Sequence, residues 1–71
     1  MFAVIEDHKL VYLTDSDDAA WDISQEDISE GKCEEAYVEE IYEHDFGADG
    51  TYATAEGDVI TLKAWKKAER F

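Results

Sequence analysis

Proline is absent from this 71-residue chain, cysteine occurs once, and glycine only four times. A single cysteine, Cys33, cannot close an internal disulfide. That excludes the disulfide-framework class of small domains and fits a reducing, cytoplasmic setting. Low-complexity linkers and internal repeats are missing too, so the expected organisation is one domain over residues 1–71. Long hydrophobic runs are lacking: the N-terminal one is Phe2–Ile5, without a basic flank. It is neither a secretory signal nor a membrane span, which points to a soluble intracellular protein. Positive charge is scarce above all. Six Lys and Arg face nineteen Asp and Glu, a formal net charge of −13. A surface that anionic repels nucleic acid and anionic membranes, so direct binding to either is not expected and a basic partner is favoured.

What is present is enough for a small core. Two Trp, four Tyr and three Phe accompany a set of Val, Ile and Leu. That content separates the chain from disordered acidic tails, which are poor in aromatics. At this length only about 60% of the unfolded surface is buried on folding, so stability is marginal.

Phe2–Glu6 and Leu10–Thr14 read as a β-hairpin about Asp7-His8-Lys9. Thr14 or Ser16 is placed to cap a short helix over about Asp17–Ile23, with Asp17 and Asp18 at its positive end. Ser24-Gln25-Glu26-Asp27 resembles a capping box that opens a second helical turn, stopped at Gly31. The main helix is predicted over about Lys32–His44. Thr51–Ala55 and Asp58–Trp65 then read as a second hairpin around Glu56-Gly57, and KKAERF as a last helical turn or a frayed end. The order ββ-α-ββ predicts an α+β fold: a small antiparallel sheet of two hairpins with one main acidic helix packed on one face.

The stretch CEEAYVEEIYEHD, residues 33–45, carries six carboxylates and no Lys or Arg. Read as a helix, it has a core stripe of Cys33, Tyr37, Val38 and Ile41 and an outward row of Glu35, Glu39 and Glu43, with Glu40 on the flank. Its like-charge pairs would cost roughly 0.6–1.5 kcal/mol in sum, and its acids crowd the negative end of the helix dipole. Six carboxylates over about 20 Å approximate the charge density of one nucleic-acid strand. Asp15, Asp17, Asp18, Glu26 and Asp27 extend the acidic surface, and residues 15–45 hold thirteen acids and one Lys. A solvated helix face is the plain alternative. The expected partner-binding residues are therefore Glu35, Glu39, Glu40 and Glu43, seconded by Asp15, Asp17, Asp18, Glu26 and Asp27.

In size, in its lack of cysteine pairs and in this acidic run, the chain resembles the small acidic proteins that phages and mobile elements encode against nucleic-acid-binding enzymes. Anti-CRISPR proteins, restriction inhibitors and uracil-DNA glycosylase inhibitors are examples. The resemblance implies a stoichiometric inhibitor in the host-cell cytoplasm. Its partner would be a basic nucleic-acid-binding protein or ribonucleoprotein complex, and its carboxylates would occupy a Lys/Arg-lined groove. It matches no signature motif and assigns no residue roles.

Catalysis has little support in the sequence. His8 and His44 are the only histidines, and Cys33 is expected in the core, not as an exposed thiolate. The carboxylates are not placed in contrasting environments as acid/base pairs require. Neither DSDDAAWD nor HDFGADG fits a calcium-binding loop, so no metal or cofactor is expected. The basic tail (Lys63, Lys66, Lys67, Arg70) would pair with the chain's own acids, or bridge a homodimer by meeting the acidic patch of a second copy. Trp65 and Phe71 among those cations offer another function: an adaptor domain that docks through Trp65 and a sheet edge.

Overall fold

The Asp7-His8 dipeptide makes the first decision of the fold. In the computed structural model, which describes residues 1–71, both residues adopt positive φ, 49° and 71°. That is the two-residue turn whose twist matches paired strands, and Asp and His tolerate it better than most side chains. It joins β1 (Phe2–Glu6) to β2 (Lys9–Thr14). The register runs Phe2 opposite Thr14 to Glu6 opposite Lys9, with a bulge that leaves Val11 unmatched. The extra residue puts Leu10 and Leu13 on one face despite their odd spacing. Both join the apolar core, with Ala3 and Ile5 from β1.

Helix α1 (Asp17–Ser29) follows. Ser16 caps it, its side chain accepting from the Ala19 N–H at 3.2 Å, and Asp17 and Asp18 lie in the first turn. The predicted break at Ser24 does not occur. Ser24 is fully buried, and its hydroxyl donates to the Trp21 carbonyl at 2.8 Å. That bond stays within the helix and leaves nothing for a new cap. The helix ends at Gly31, φ 75°. There Gly31 N–H bonds Ile28 C=O and Lys32 N–H bonds Asp27 C=O, the paired arrangement that a left-handed glycine permits.

The segment predicted as the main helix is instead a strand, β3 (Ala36–Glu40). It pairs antiparallel with β1, Val4 opposite Val38 and Ile5 opposite Tyr37. Tyr37 and Ile41, four apart, share a face in a strand as they do in a helix, so periodicity alone was ambiguous. The charges decide it. A helix would stack Glu35, Glu39 and Glu43, whereas the strand turns Glu39 and Glu40 to opposite faces. Tyr and Val also favour extended backbone.

A single 3₁₀ turn (Glu43–Asp45) leads to β4 (Thr51–Ala53), which pairs with β5 (Val59–Thr61) around Gly57. The last predicted strand is thus cut short. Thr61 caps α2 (Leu62–Lys67) by accepting from the Ala64 N–H at 3.0 Å. Of the tail KKAERF, Lys66 and Lys67 form the last turn of α2, as one predicted alternative had it, and β6 (Glu69–Arg70) then lies parallel to β2. The fold is α+β, with a four-stranded sheet in the order β3-β1-β2-β6, a separate two-stranded sheet, and one main acidic helix. Ala3, Ile5, Leu13, Ile41, Ile60 and Trp65 make up the buried apolar cluster between the two sheets and α2. Helix α1 packs against β1, β2 and β3 yet adds no side chain to that cluster.

Candidate functional site

Five of the exposed carboxylates lie along α1 and its C-terminal cap. The helix buries Ala20, Ser24 and Asp27, and the 3.6-residue period therefore turns Asp18, Asp22 and Gln25 outward. Asp18, Asp22, Glu26 and Glu30 follow one another at four-residue steps, all exposed. With Asp17 they are five carboxylates over about 20 Å, one per ~4 Å, against one phosphate per ~3.4 Å along a nucleic-acid strand. No Lys or Arg lies between Lys9 and Lys32, and the only one of the five in an ion pair is Glu30, 3.1 Å from Lys32. A groove of about 400 Å³ with Asp22, Glu26 and Glu30 on its walls runs along this face. The last turn holds no basic residue, so the helix dipole is uncompensated there.

The sequence-predicted residues divide accordingly. Asp15, Asp17, Asp18 and Glu26 are exposed at or on α1, and Glu35, Glu40 and Glu43 are exposed on and around β3. The predicted helical row of Glu35, Glu39 and Glu43 does not form, because residues 36–40 are a strand. Glu39 is not free: it accepts from Tyr52 Oη at 2.5 Å and from the Ala55 N–H at 2.9 Å. It ties β3 to β4, and its hydrogen bond, ahead of burial and its charge, lifts the Tyr52 hydroxyl to about 12. Glu40 accepts from Tyr42 Oη at 2.8 Å but remains exposed. Asp27 is only 5% exposed and cannot meet a partner from the folded surface. Trp65, expected to dock a partner, is also 5% exposed and stacks edge-on against Phe46 in the core. The large apolar side chains that do reach solvent on α1 are Trp21 (46%) and Ile28 (38%), seven residues apart on one flank of the acidic row.

Two polar constellations escaped the sequence reading. Tyr37 Oη donates to Asp58 Oδ2 at 2.6 Å and contacts Thr54 Oγ1 at 2.8 Å, while His8 Nδ1 lies 2.7 Å from Asp58 Oδ1. This chain links the β1–β2 turn, β3 and the β4–β5 turn. Asp58, held by both neighbours, is pushed below the usual carboxylate range, and His8 is raised, first by its hydrogen bond to Asp58. Burial first, then Asp58, lifts the Tyr37 hydroxyl to about 12. The second is Glu6, the last residue of β1, buried against Asp27 beneath α1. No group of three or more His, Cys, Asp or Glu side chains is arranged to hold a metal ion, and no helix is long and apolar enough to cross a membrane.

Fold and surface together define a small α+β protein with one strongly anionic helix on one side of its sheet. The chain matches no protein-family description, no curated protein and no solved structure.

Proposed function

We propose that this protein is a stoichiometric, non-catalytic inhibitor of a basic nucleic-acid-binding protein or ribonucleoprotein complex, acting as a nucleic-acid mimic. The observation that carries the reading is the unpaired row Asp18, Asp22 and Glu26 on α1, extended by Asp17 and Glu30. The like-charge pairs 18/22, 22/26 and 26/30 each cost roughly 0.2–0.5 kcal/mol. Asp17 and Asp18 suit the positive end of the helix, but Asp22 and Glu26 add nothing to the stability of a small domain, whereas a Lys/Arg-lined groove is matched by the row. Asp15, Glu35, Glu40 and Glu43 widen the anionic surface; Glu39 and Asp27 serve the fold instead.

The reading is tested by capturing partners from cells that express DNA-repair and defence enzymes, then competing the captured complex with duplex DNA. Duplex DNA should displace the inhibitor, and added salt should weaken the complex steeply. The triple variant Asp18→Lys, Asp22→Lys, Glu26→Lys should lose capture while keeping its circular-dichroism spectrum. A partner that holds DNA and this protein together, each at full affinity, would sink mimicry.

An adaptor reading keeps one foothold, moved from Trp65 to the exposed pair Trp21 and Ile28. If binding is insensitive to salt and Trp21→Ala weakens it more than the charge reversals, an apolar docking surface is the better description.

A further inference from the structure

Glu6 and Asp27 meet where the C-terminal half of α1 sits on the sheet. They are 8% and 5% exposed, and in each the second carboxyl oxygen, Glu6 Oε2 and Asp27 Oδ2, is buried without a hydrogen-bond partner. Two ionised carboxylates there would leave bare oxygens and facing negative charges away from water, a costly arrangement on both counts. Nearby cations do not relieve it. Lys32 Nζ is 3.8 Å from Asp27 Oδ1, but its side chain is mostly exposed and it sits closer to Glu30. Lys9 opposes Glu6 in the β1–β2 register yet is absent from the ion pairs. The other groups facing the pair are anionic or neutral: Asp7 in the turn, Tyr12 on β2 and the buried Cys33 thiol. A proton on Glu6 supplies the missing donor, so that one carboxyl donates to the other.

We propose that Glu6 keeps its proton and donates it to the facing Asp27 carboxyl, and that this contact is a latch holding the acidic helix α1 on the sheet, released when the proton leaves. The pair is a large part of what α1 buries. The residues α1 buries are Ala20, Ser24 and Asp27, and the main apolar cluster lies on the other face of the sheet. Burial first, then the facing Asp27 carboxyl, lifts Glu6 from 4.5 to about 7. Its proton is therefore held about 300-fold more tightly in the folded chain than in the unfolded one. Because the folded value is the raised one, the stabilisation is full below the ordinary Glu range and is lost as pH rises through about 7. The latch stands apart from the proposed function, since it needs no partner.

Backbone hydrogen exchange, corrected for intrinsic rates, tests it in a background carrying His8→Gln and His44→Gln, which removes both histidines. Between pH 4.5 and pH 8, protection of the Ala20–Asp27 amides should fall about 100-fold more than protection of Val4 and Leu13. In Glu6→Gln, whose amide can donate to Asp27 at any pH, that extra fall should vanish. Equal losses in helix and strands, or an extra fall that persists in Glu6→Gln, would overturn the latch. Carbon-13 titration of the Glu6 carboxyl in the unmodified chain decides the matter should Glu6→Gln not fold. A midpoint near 7 supports the proton on Glu6, and one near 4.5 refutes it.

Discussion

Replacing Asp22 by lysine should make this protein more stable, and the size of the gain is set by α1. Asp22 is exposed, forms no ion pair, and stands four residues from both Asp18 and Glu26. Each of those pairs is repulsive by roughly 0.2–0.5 kcal/mol and becomes attractive by a similar amount when the middle charge is reversed. The two pairs together then yield about 0.8–2 kcal/mol. The true figure should fall near 1 kcal/mol, because the Lys-before-Glu order of the second pair is the weaker orientation. Helix propensity adds a few tenths. The dipole subtracts little, since its effect fades beyond the first turn, where Asp17 and Asp18 sit. For a domain of this size 1 kcal/mol raises Tm by roughly 4–8 °C. Thermal melts of Asp22→Lys and Asp22→Asn at low salt should show both above the parent, with the asparagine gain about half as large. Near 1 M salt, where screening reaches about 3 Å, the asparagine gain should disappear. If Asp22→Lys melts below the parent at low salt, the row stabilises the helix and the case for a charge kept for a partner fails.

Three further perturbations read the remaining contacts. Tyr37→Phe removes the hydroxyl that serves Asp58 and Thr54; urea titration should show a loss of about 1–2 kcal/mol, typical of a hydrogen bond to a charged group. His8→Gln removes a group whose folded pKa is raised by Asp58, so its contribution is present below the ordinary histidine range and lost as pH climbs through the folded value. Melts of parent and His8→Gln should therefore converge at alkaline pH and diverge near pH 5; a constant gap would discount the His8–Asp58 pair. Trp65→Ala should cost about 3–5 kcal/mol, most of the stability of a domain this small. Trp21→Ala should cost far less, as its side chain is half exposed; equal losses in the two tryptophan variants would contradict the assigned core.

The first hairpin, a cap at Thr14 or Ser16 and the stop at Gly31 were legible because each depends on local chemistry: a short turn, a hydroxyl acceptor, a left-handed glycine. The identity of residues 36–40 was not. Cys33, Tyr37 and Ile41 satisfy the helical period and the strand alternation at once. What separates the two is the position of β1, which needs a partner on its free edge, and of Tyr52, which offers Glu39 a hydroxyl. Both are long-range facts. The same limit hid the Tyr37–Asp58–His8 chain, whose members are 21 and 50 residues apart.

Moving the helix changes what its charges mean. Glu39, read as a contact on an acidic face, is satisfied by Tyr52 and the Ala55 amide, so its carboxylate is explained by the fold. Asp27 is explained the same way once Glu6 is seen opposite it. Among the acids left without a hydrogen bond or ion pair, Asp15, Glu34, Glu35, Glu43, Glu56 and Glu69 are spread along the chain, whereas Asp17, Asp18, Asp22 and Glu26 share α1, where 18, 22 and 26 stand at four-residue steps with no cation between them. Composition alone could not sort them: nineteen acids look equivalent in the sequence, and only burial and hydrogen bonding divide those that hold the protein together from those that strain it. The strained set is contiguous, occupies one helix, and flanks Trp21 and Ile28. The repeat of like charges at helical spacing, not the number of acids, is the argument for the proposed surface that meets a basic partner.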